Sequence, residues 1–434
     1  MSVANEINIL KGNIRNAYTS IQNKGGTIPT NKNTENLSSA IDSISAGGTT
    51  TLGTKTITTN GVYNASDDNL DGYSQVTVDV KTSNAWQRPT DWYDLPKILS
   101  NTEDIVRDGV TYYPRIALQL EITNTNIVTL QCNSLMTFSI SGEKYIVKTS
   151  DGQELTTTSS VTITFDTTKD AKTRYVIIYT NYISSCYTYL SGNTLPVIEI
   201  ILGKGTWTTP HLGGSSSAST NKWLRNFETL DICEWTHFGY QYCFSNVYSL
   251  EHLYLPTITT MTNTTYSAIT SYALQDVDMP NLKTMSMSYF TGPYNALKRL
   301  NFPNLETTSA GFGTNYGLME INVPKLKTIN NSYFLQNDLS LETIDLSSIV
   351  TGTPNFVNHS KLKVLKLPNN FKITGWSLNN CYSLTKECLL DILNKLADVT
   401  GESTAYTITF GSNNLAKLTT DELAIGTGKG WTIK

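Results

Sequence analysis

The chain has 434 residues, 39% of them hydrophobic and 16% charged, with a formal net charge of −4. That length exceeds one ordinary core, and 24 Tyr with 12 Phe supply bulk for several, so general disorder is excluded. No block of Lys and Arg is present to displace counterions from a polyanion, and no run of about 18 apolar residues offers a membrane span, so nucleic acid and bilayer insertion are not expected.

The amino-terminal MSVANEINILKGNIRN is amphipathic and lacks the apolar stretch of a secretory leader. The expectation is folding in a cytoplasm, with any work outside a cell following release by another route such as lysis. Ile7, Leu10, Ile14, Ala17 and Ile21 recur at spacings of 3, 4, 3 and 4, the seam of a coiled coil. Gly25-Gly26 ends that helix, and Leu37, Ile41 and Ile44 mark a second short one. Helices of this length are marginal alone. Residues 1–46 are therefore read as a helical oligomerisation and attachment segment with Ile7, Leu10, Ile14 and Ile21 as its contact row. Packing of the helix on its own chain is the alternative.

Residues 47–82 turn to strand patterning, with Ile57, Val76, Val78 and Val80 apolar and Asn60-Gly61 and Asp71-Gly72 as turn signals, which predicts a small β-hairpin unit. Residues 86–210 open on Trp86-Gln87-Arg88-Pro89-Thr90-Asp91-Trp92. They continue as short strands (IALQLEI, LMTFSI, YIVKT, SVTITF, RYVIIYT, PVIEIIL) separated by Gly, Asp, Asn and Ser, the rhythm of an antiparallel sandwich. The Gly/Ser-rich 211–221 stretch reads as a linker. The six Cys show no close-spaced pairs and are read as mostly free, buried thiols.

From 222 the chain repeats itself. Leu250-x-x-Leu253-x-Leu255-Pro256 returns from anchors Leu274, Leu297, Leu318, Leu341 and Leu362, and Phe227-x-x-Leu230-x-Ile232 is taken as an earlier copy. The anchor spacings are 23, 24, 23, 21, 23 and 21. A period in the twenties with this pattern predicts a leucine-rich-repeat solenoid over 222–375, because no single coil can bury its own apolar face. The proline, replaced by Ser347 in the Leu341 copy and by Cys233 in the Phe227 copy, ends the strand where it occurs, since it cannot donate to the ladder. A second apolar residue (Ile258, Leu282, Leu305, Leu326, Ile349) tucks the return inward. The Asn ladder of the common repeat is not apparent. Residues 376–434 read as an α/β cap, with Leu389, Ile392, Leu393 and Leu396 on one face of a helix. The fold class expected is thus mostly β: helical stalk, hairpin unit, sandwich of the Ig/PKD kind, solenoid and cap.

Five of these segments carry a resemblance. The helical pair with "NKGGTIP…LSSAIDSI" and the strand unit after it are similar to modules in tail proteins of phages that infect Gram-positive and gut bacteria. The W-x-R-P-x-x-W opening resembles the start of sandwich modules there, although Thr149-Ser150-Asp151-Gly152 stands where a W-G-D-G turn is common. The repeats resemble the BspA-like, surface-adhesin subclass, and Thr419 to Ile433 is similar to the "T-x-E/D…G-W-T-I" end of phage proteins bearing them. The resemblance implies a phage tail fibre or receptor-binding protein, assembled in the host cytoplasm and resident in the virion. It would join tail or baseplate proteins through its amino terminus, self-associate as a homotrimer and bind a bacterial surface glycan or protein. A cell-surface BspA-like adhesin and a tail-associated polysaccharide depolymerase are the alternatives.

Candidate binding residues follow from strand alternation. The third and fifth positions of each repeat face outward together, giving His252 and Tyr254, Asp276 and Asp278, Arg299 and Asn301, Glu320 and Asn322, and Asp345. This stripe is either a recognition surface for a polar ligand or a solvated sheet face. Asp276 and Asp278 would stand about 6.5–7 Å apart, near the lower limit for an inverting glycosidase, while Asp278 and Asp345 would be roughly 14 Å apart. An exposed sheet supplies no cleft to raise one acid, so no enzymatic activity is expected. Cys233, His237, Cys243 and His252 fit no zinc spacing, and Leu202-Gly203-Lys204-Gly205-Thr206 is no phosphate loop, so neither metal nor cofactor is expected. Tyr240, Tyr242, Tyr248, Tyr266, Tyr289, Tyr294, Tyr316 and Tyr333 gather in the returns, as either contact residues or packing.

Overall fold

In the computed structural model the described residues are 3–44, 52–57, 72–78, 85–121, 127–132, 144–166, 173–181, 196–207, 223–238, 244, 247–263, 269, 271–287, 290, 296–312, 317–331, 334–335, 340–352, 356 and 358–434. They fall into two units, Met1–Ser83 and Asn84–Lys434. The 211–221 linker lies outside the described residues, as do Cys186, Cys243 and all the return tyrosines named above except Tyr248.

In the first unit, α1 (Val3–Asn23) and α2 (Leu37–Asp42) share a small core of Tyr18, Ile21 and Ala40, against which Ile14, Ile28, Leu37 and Ile44 pack. Gly26 makes the close approach possible, since a Cβ there would run into Ile21 and Ile44. The seam is therefore divided. Its carboxy-terminal half packs on its own chain, while Ile7 and Leu10 stay 47% and 56% exposed. The expected hairpin is a correction: β1 (Leu52–Ile57) and β2 (Gly72–Val78) pair in parallel. A parallel pair needs a long crossover instead of a two-residue turn, and Gly72 is the first residue of β2.

The second unit opens with an antiparallel sheet. Its strands are β3 (Ile105–Arg107), β4 (Val110–Glu121), β5 (Ile127–Gln131), β6 (Tyr145–Thr149), β7 (Glu154–Thr157), β8 (Ser160–Thr164), β9 (Thr173–Thr180) and β10 (Val197–Leu202). The main sheet runs β10-β4-β9-β6-β7, β3 adds to β4, and β5 with β8 forms a separate ribbon. Alternate residues of β4 go to opposite sides: Ile116, Leu118 and Leu120 share a core with Val128, Leu130, Ile163 and Phe165 of the ribbon. Ala117 instead joins a second core beneath α3 (Leu95–Ser100), with Leu95, Leu99 and Ile201. Both faces of the sheet are covered, which is why β4, β9 and β10 read as almost continuous apolar runs.

β10 also pairs in parallel with β12 (Asn226–Thr229), after a short β11 (Gly205–Thr206) that pairs with Cys233–Glu234. The antiparallel sheet thus continues into the solenoid without a break, and a single buried core extends from β4 to Trp431. Successive strands His252–Tyr254, Asp276–Asp278, Arg299–Asn301 and Glu320–Asn322 stack in parallel on β12, and Thr343–Asp345 pairs with Val364–Lys366 in a further ladder. A second parallel ladder on the return side links His237–Phe238, Thr260–Asn263, Thr284–Met287, Thr307–Thr308, Thr328–Ile329 and Thr351–Gly352. The second unit thus holds a β-solenoid of about 8 turns.

The register corrects the reading of the first repeat. Phe227 pairs with Leu253, not with Leu250, so the repeat is Leu224-x-x-Phe227-x-Thr229, and Ile232 is 54% exposed. Leu224 and Phe227 are fully buried. Ile200 pairs with Phe227 in turn, making Val197-x-x-Ile200-x-Leu202 a still earlier rung contributed by β10.

Aromatic rings fill the centre. Phe312 lies 5.6 Å from Phe290 and 5.3 Å from Phe334, and Phe356, Trp376 and Phe371 carry the stack toward the carboxyl end. A polar ladder is also present, against the sequence reading. The residue after the strand-ending proline, or after Ser347 where proline is replaced, reaches the carbonyl of the preceding rung on four rungs: Thr257 to Trp235, Asn281 to Pro256, Asn304 to Pro280 and Ser348 to Pro324. Thr and Ser replace Asn on some rungs, which hides the ladder from a search for one residue type.

The last rung is closed by α4 (Lys386–Lys395), which buries Cys388, Leu389, Ile392 and Leu393. Thr385 caps its start and Lys429 its end, donating to the carbonyls of Leu393, Asn394 and Leu396 at 3.1, 2.6 and 2.9 Å. Among the described residues Cys132, Cys381 and Cys388 are free thiols, and these and Cys233 are buried.

Candidate functional site

The outward positions of the front strands come into register as alternation requires: His252 with Asp276, Arg299 and Glu320 in one row, and Tyr254 with Asp278, Asn301 and Asn322 in the next. Asp345 stands beside Lys366, 3.2 Å away, on the further ladder. Of the expected stripe, His252 through Asn322 is brought together on one sheet. Its exposure is uneven, however. The Asp276 side chain is 0% exposed, Asp278 20% and Glu320 43%.

The cause is the segment whose W-x-R-P-x-x-W pattern resembles the start of a sandwich module. Ala85–Asp94 crosses the front of β10, β12 and the two strands after them. The Trp86 indole stacks on the His252 ring with centroids 4.8 Å apart and planes 6° from parallel. Its backbone N–H donates to Asp276 Oδ2 at 3.3 Å and its indole N–H to Glu251 at 3.3 Å. Arg88 reaches Glu199 Oε1 at 2.6 Å and Glu228 Oε1 at 2.8 Å, while the Asn226 amide donates to the same two oxygens at 2.6 Å each. Arg225 lies over the Trp92 ring at 5.0 Å and pairs with Glu251 at 2.7 Å. The two Trp and the Arg of W-x-R-P-x-x-W thus fasten a strap over the first rungs. Asp276 and His252 are correspondingly removed from the free surface.

Electrostatics follow the covering. Burial pushes the Asp276 carboxyl up, but His252 Nδ1 at 3.1 Å and Arg299 at 3.0 Å outweigh it, and the group is held below the usual carboxylate range. At Asp278 burial prevails over Asn301 and Arg299, so that carboxyl is raised. Glu199 is fully buried, and desolvation, only partly offset by Arg88, pushes it up to about 7. Beyond Asp276 the stripe is a chain of amides: Asn322 donates to Asn301 at 2.7 Å and Asn301 to Asp278 at 2.8 Å. These bonds tie the three side chains to one another along the row.

Arg88, Glu199, Asn226 and Glu228 were missed from the sequence. The available signal was a single Glu within the apolar PVIEIIL, at an outward position of a rung whose membership in the repeat was not recognised. Tyr248 and Tyr272 stand two residues before the anchors Leu250 and Leu274, and their rings lie 5.0 Å apart at the edge of the front sheet, 37% and 55% exposed. Cys233 is buried and His237 exposed on different strands, and among the described residues no group of three or more His, Cys, Asp or Glu is placed to hold a metal ion. No helix among them is long and apolar enough to cross a membrane. Compared with protein-family models, curated proteins and solved structures, the chain matches none.

Proposed function

We propose that this chain is a binding protein of a phage tail, attaching through its amino-terminal unit and presenting the solenoid to a bacterial surface glycan or protein. The observation that carries the binding role is the aligned, partly exposed row Asp278, Asn301 and Asn322, flanked by Arg299 and Glu320, on a rigid parallel ladder. Pre-ordered amides and carboxylates at a repeat of about 4.8 Å suit a polymer offering hydroxyls at intervals, and they lose little entropy on binding. Tyr248 and Tyr272 add the amphipathic ring surface on which sugars stack. The antiparallel sheet with its β5–β8 ribbon is read as an Ig/PKD-like sandwich that spaces the two ends.

The exposed Ile7 and Leu10 continue the row whose other half is already packed, and their burial between copies would form the coiled-coil stalk of a homotrimer. Several weak arms on one stalk then gain avidity through effective concentration. The test is retention of the full chain on immobilised bacterial capsules, teichoic acids and host cells, compared with Asn301→Ala/Asn322→Ala. Loss of retention in the double variant is expected, and retention equal to wild type would reject the stripe. A sedimentation mass corresponding to one copy at micromolar concentration would reject the stalk.

A depolymerase is the second reading, favoured by one observation. Asp276 and Asp278 lie on one strand and are shifted in opposite directions, as an acid and a base must be, and Asp276 would have to be uncovered from Trp86 to act. Release of reducing sugar from the same polymers, abolished by Asp278→Asn, would establish it.

A further inference from the structure

The strap is held differently from everything around it. The rungs beneath are joined by backbone ladders, whereas Ala85–Asp94 has no strand pairing and is fastened by side chains at a few points: Trp86 on His252 and Asp276, Arg88 on Glu199 and Glu228, and the Tyr93 N–H on Gln119 at 3.2 Å. Its buried junction is electrostatically incomplete. One guanidinium and one amide serve Oε1 of both Glu199 and Glu228, while Glu199 Oε2 and Asn226 Oδ1 are buried without a hydrogen-bond partner. These two buried acceptors, and the Nε2 donor of Gln119 opposite Glu199 on β4, make no hydrogen bond, which is costly, and a proton on the carboxyl relieves the part due to Glu199.

We propose that Ala85–Asp94 is a releasable latch, fastened by Arg88, that shortens the open polar stripe and loosens when the buried acid cluster beneath it loses a proton. Opening would add Glu199, Asn226, Glu228, His252 and Asp276 to the surface already open from Asp278 onward. The inference stands apart from the proposed function, since it concerns occlusion of the front face whatever binds there.

The groups facing Glu199 are few. The strap brings Arg88, and behind it Asp94 at 3.6 Å from the guanidinium. β4 brings the uncharged Gln119, β12 the uncharged Asn226 and the acidic Glu228, and the next strand His252, with Asp276 and Arg299 beyond. Glu199 is pushed up to about 7 when covered, against an ordinary 4.5 when the strap is off and water reaches it. The closed form therefore holds more protons between those values. Closure is favoured as pH falls through 7, and opening as pH rises through it.

The test is hydrogen–deuterium exchange of the full chain at pH 5.5 and pH 8, corrected for intrinsic rates and read over residues 85–94, with 376–434 as internal reference. Linkage over that interval predicts that strap protection falls about 30-fold on going to pH 8 while the reference holds. Glu199→Gln, permanently neutral, should keep the strap protected at both values. Arg88→Met should leave it unprotected at both, with the reference intact. Equal wild-type protection at the two pH values overturns the proposal, as does a pH response surviving in Glu199→Gln or strap protection at pH 8 in Arg88→Met. Should Glu199→Gln lose its reference protection, the wild-type and Arg88→Met results decide the matter alone.

Discussion

Phe312 offers the most direct measure of how the solenoid is held together. Its ring is fully buried between those of Phe290 and Phe334, at 5.6 and 5.3 Å, with Phe302 at 6.1 Å. Truncation to Ala removes the whole ring from a site that parallel ladders on two sides hold open. A buried Phe→Ala change costs about 3–5 kcal/mol, and each lost aromatic pair adds about 0.5–1.5 kcal/mol. The upper part of the first range, about 5 kcal/mol, is therefore expected for Phe312→Ala, and Phe312→Leu should recover more than half of it. Because each rung contacts only its neighbours, the loss should be local before it is global. Exchange protection should drop first in the strands Arg299–Asn301 and Glu320–Asn322, and least in α4. Calorimetry should show Tm lower by on the order of 5–10 °C. A Phe312→Ala protein losing less than about 1 kcal/mol, the range of an ordinary surface change, would refute the stacked core.

Other outcomes follow from single contacts. Arg88→Met removes the cation that reaches Glu199 and Glu228, a loss of up to about 3–5 kcal/mol in comparable buried pairs. Because the closed wild-type strap is favoured at low pH and the variant's strap is open throughout, the loss should be at least as large at pH 5.5 as at pH 8, as denaturant titration at the two values would show. Gly352 has φ +140°, and a Cβ there would run into the Ile329 carbonyl of the adjacent rung, so Gly352→Ala should lower Tm through a strain of about 1–3 kcal/mol. Lys429→Met strips three carbonyls at the end of α4 of their donor, and faster exchange in 392–399 is the expected readout.

Some of this architecture could be read directly from residue order. The recurrence of Leu250, Leu274, Leu297, Leu318, Leu341 and Leu362 states that one strand repeats, because a stacked coil needs the same inward residue on every turn. Alternation then places Asp278, Asn301 and Asn322 on the opposite face without further information. The first repeat was misplaced by three residues for a related reason. Phe227, Leu230 and Ile232 satisfy the apolar template, whereas the true rung ends on Thr229, and only pairing with Leu253 distinguishes the two. The inter-rung ladder escaped notice because a carbonyl accepts equally from Asn281, Thr257 or Ser348. The parallel pairing of β1 with β2 was hidden by turn dipeptides that mark where a chain may bend but not which way the next strand runs.

What residue order determined is periodic: rung length, the inward and outward faces, the need for a closing helix. What the tertiary structure alone decided is which distant segments meet. Trp86 and Arg88 are 166 and 111 residues away from His252 and Glu199, and no local pattern encodes that encounter. It arises because β10 turns an antiparallel sheet into the first rung of a parallel one, which sets the strap across the rungs that follow and buries Asp276 while leaving Asp278 open. Burial of a charged group depends on what covers it, and a covering element from elsewhere in the chain leaves no trace in the sequence it covers.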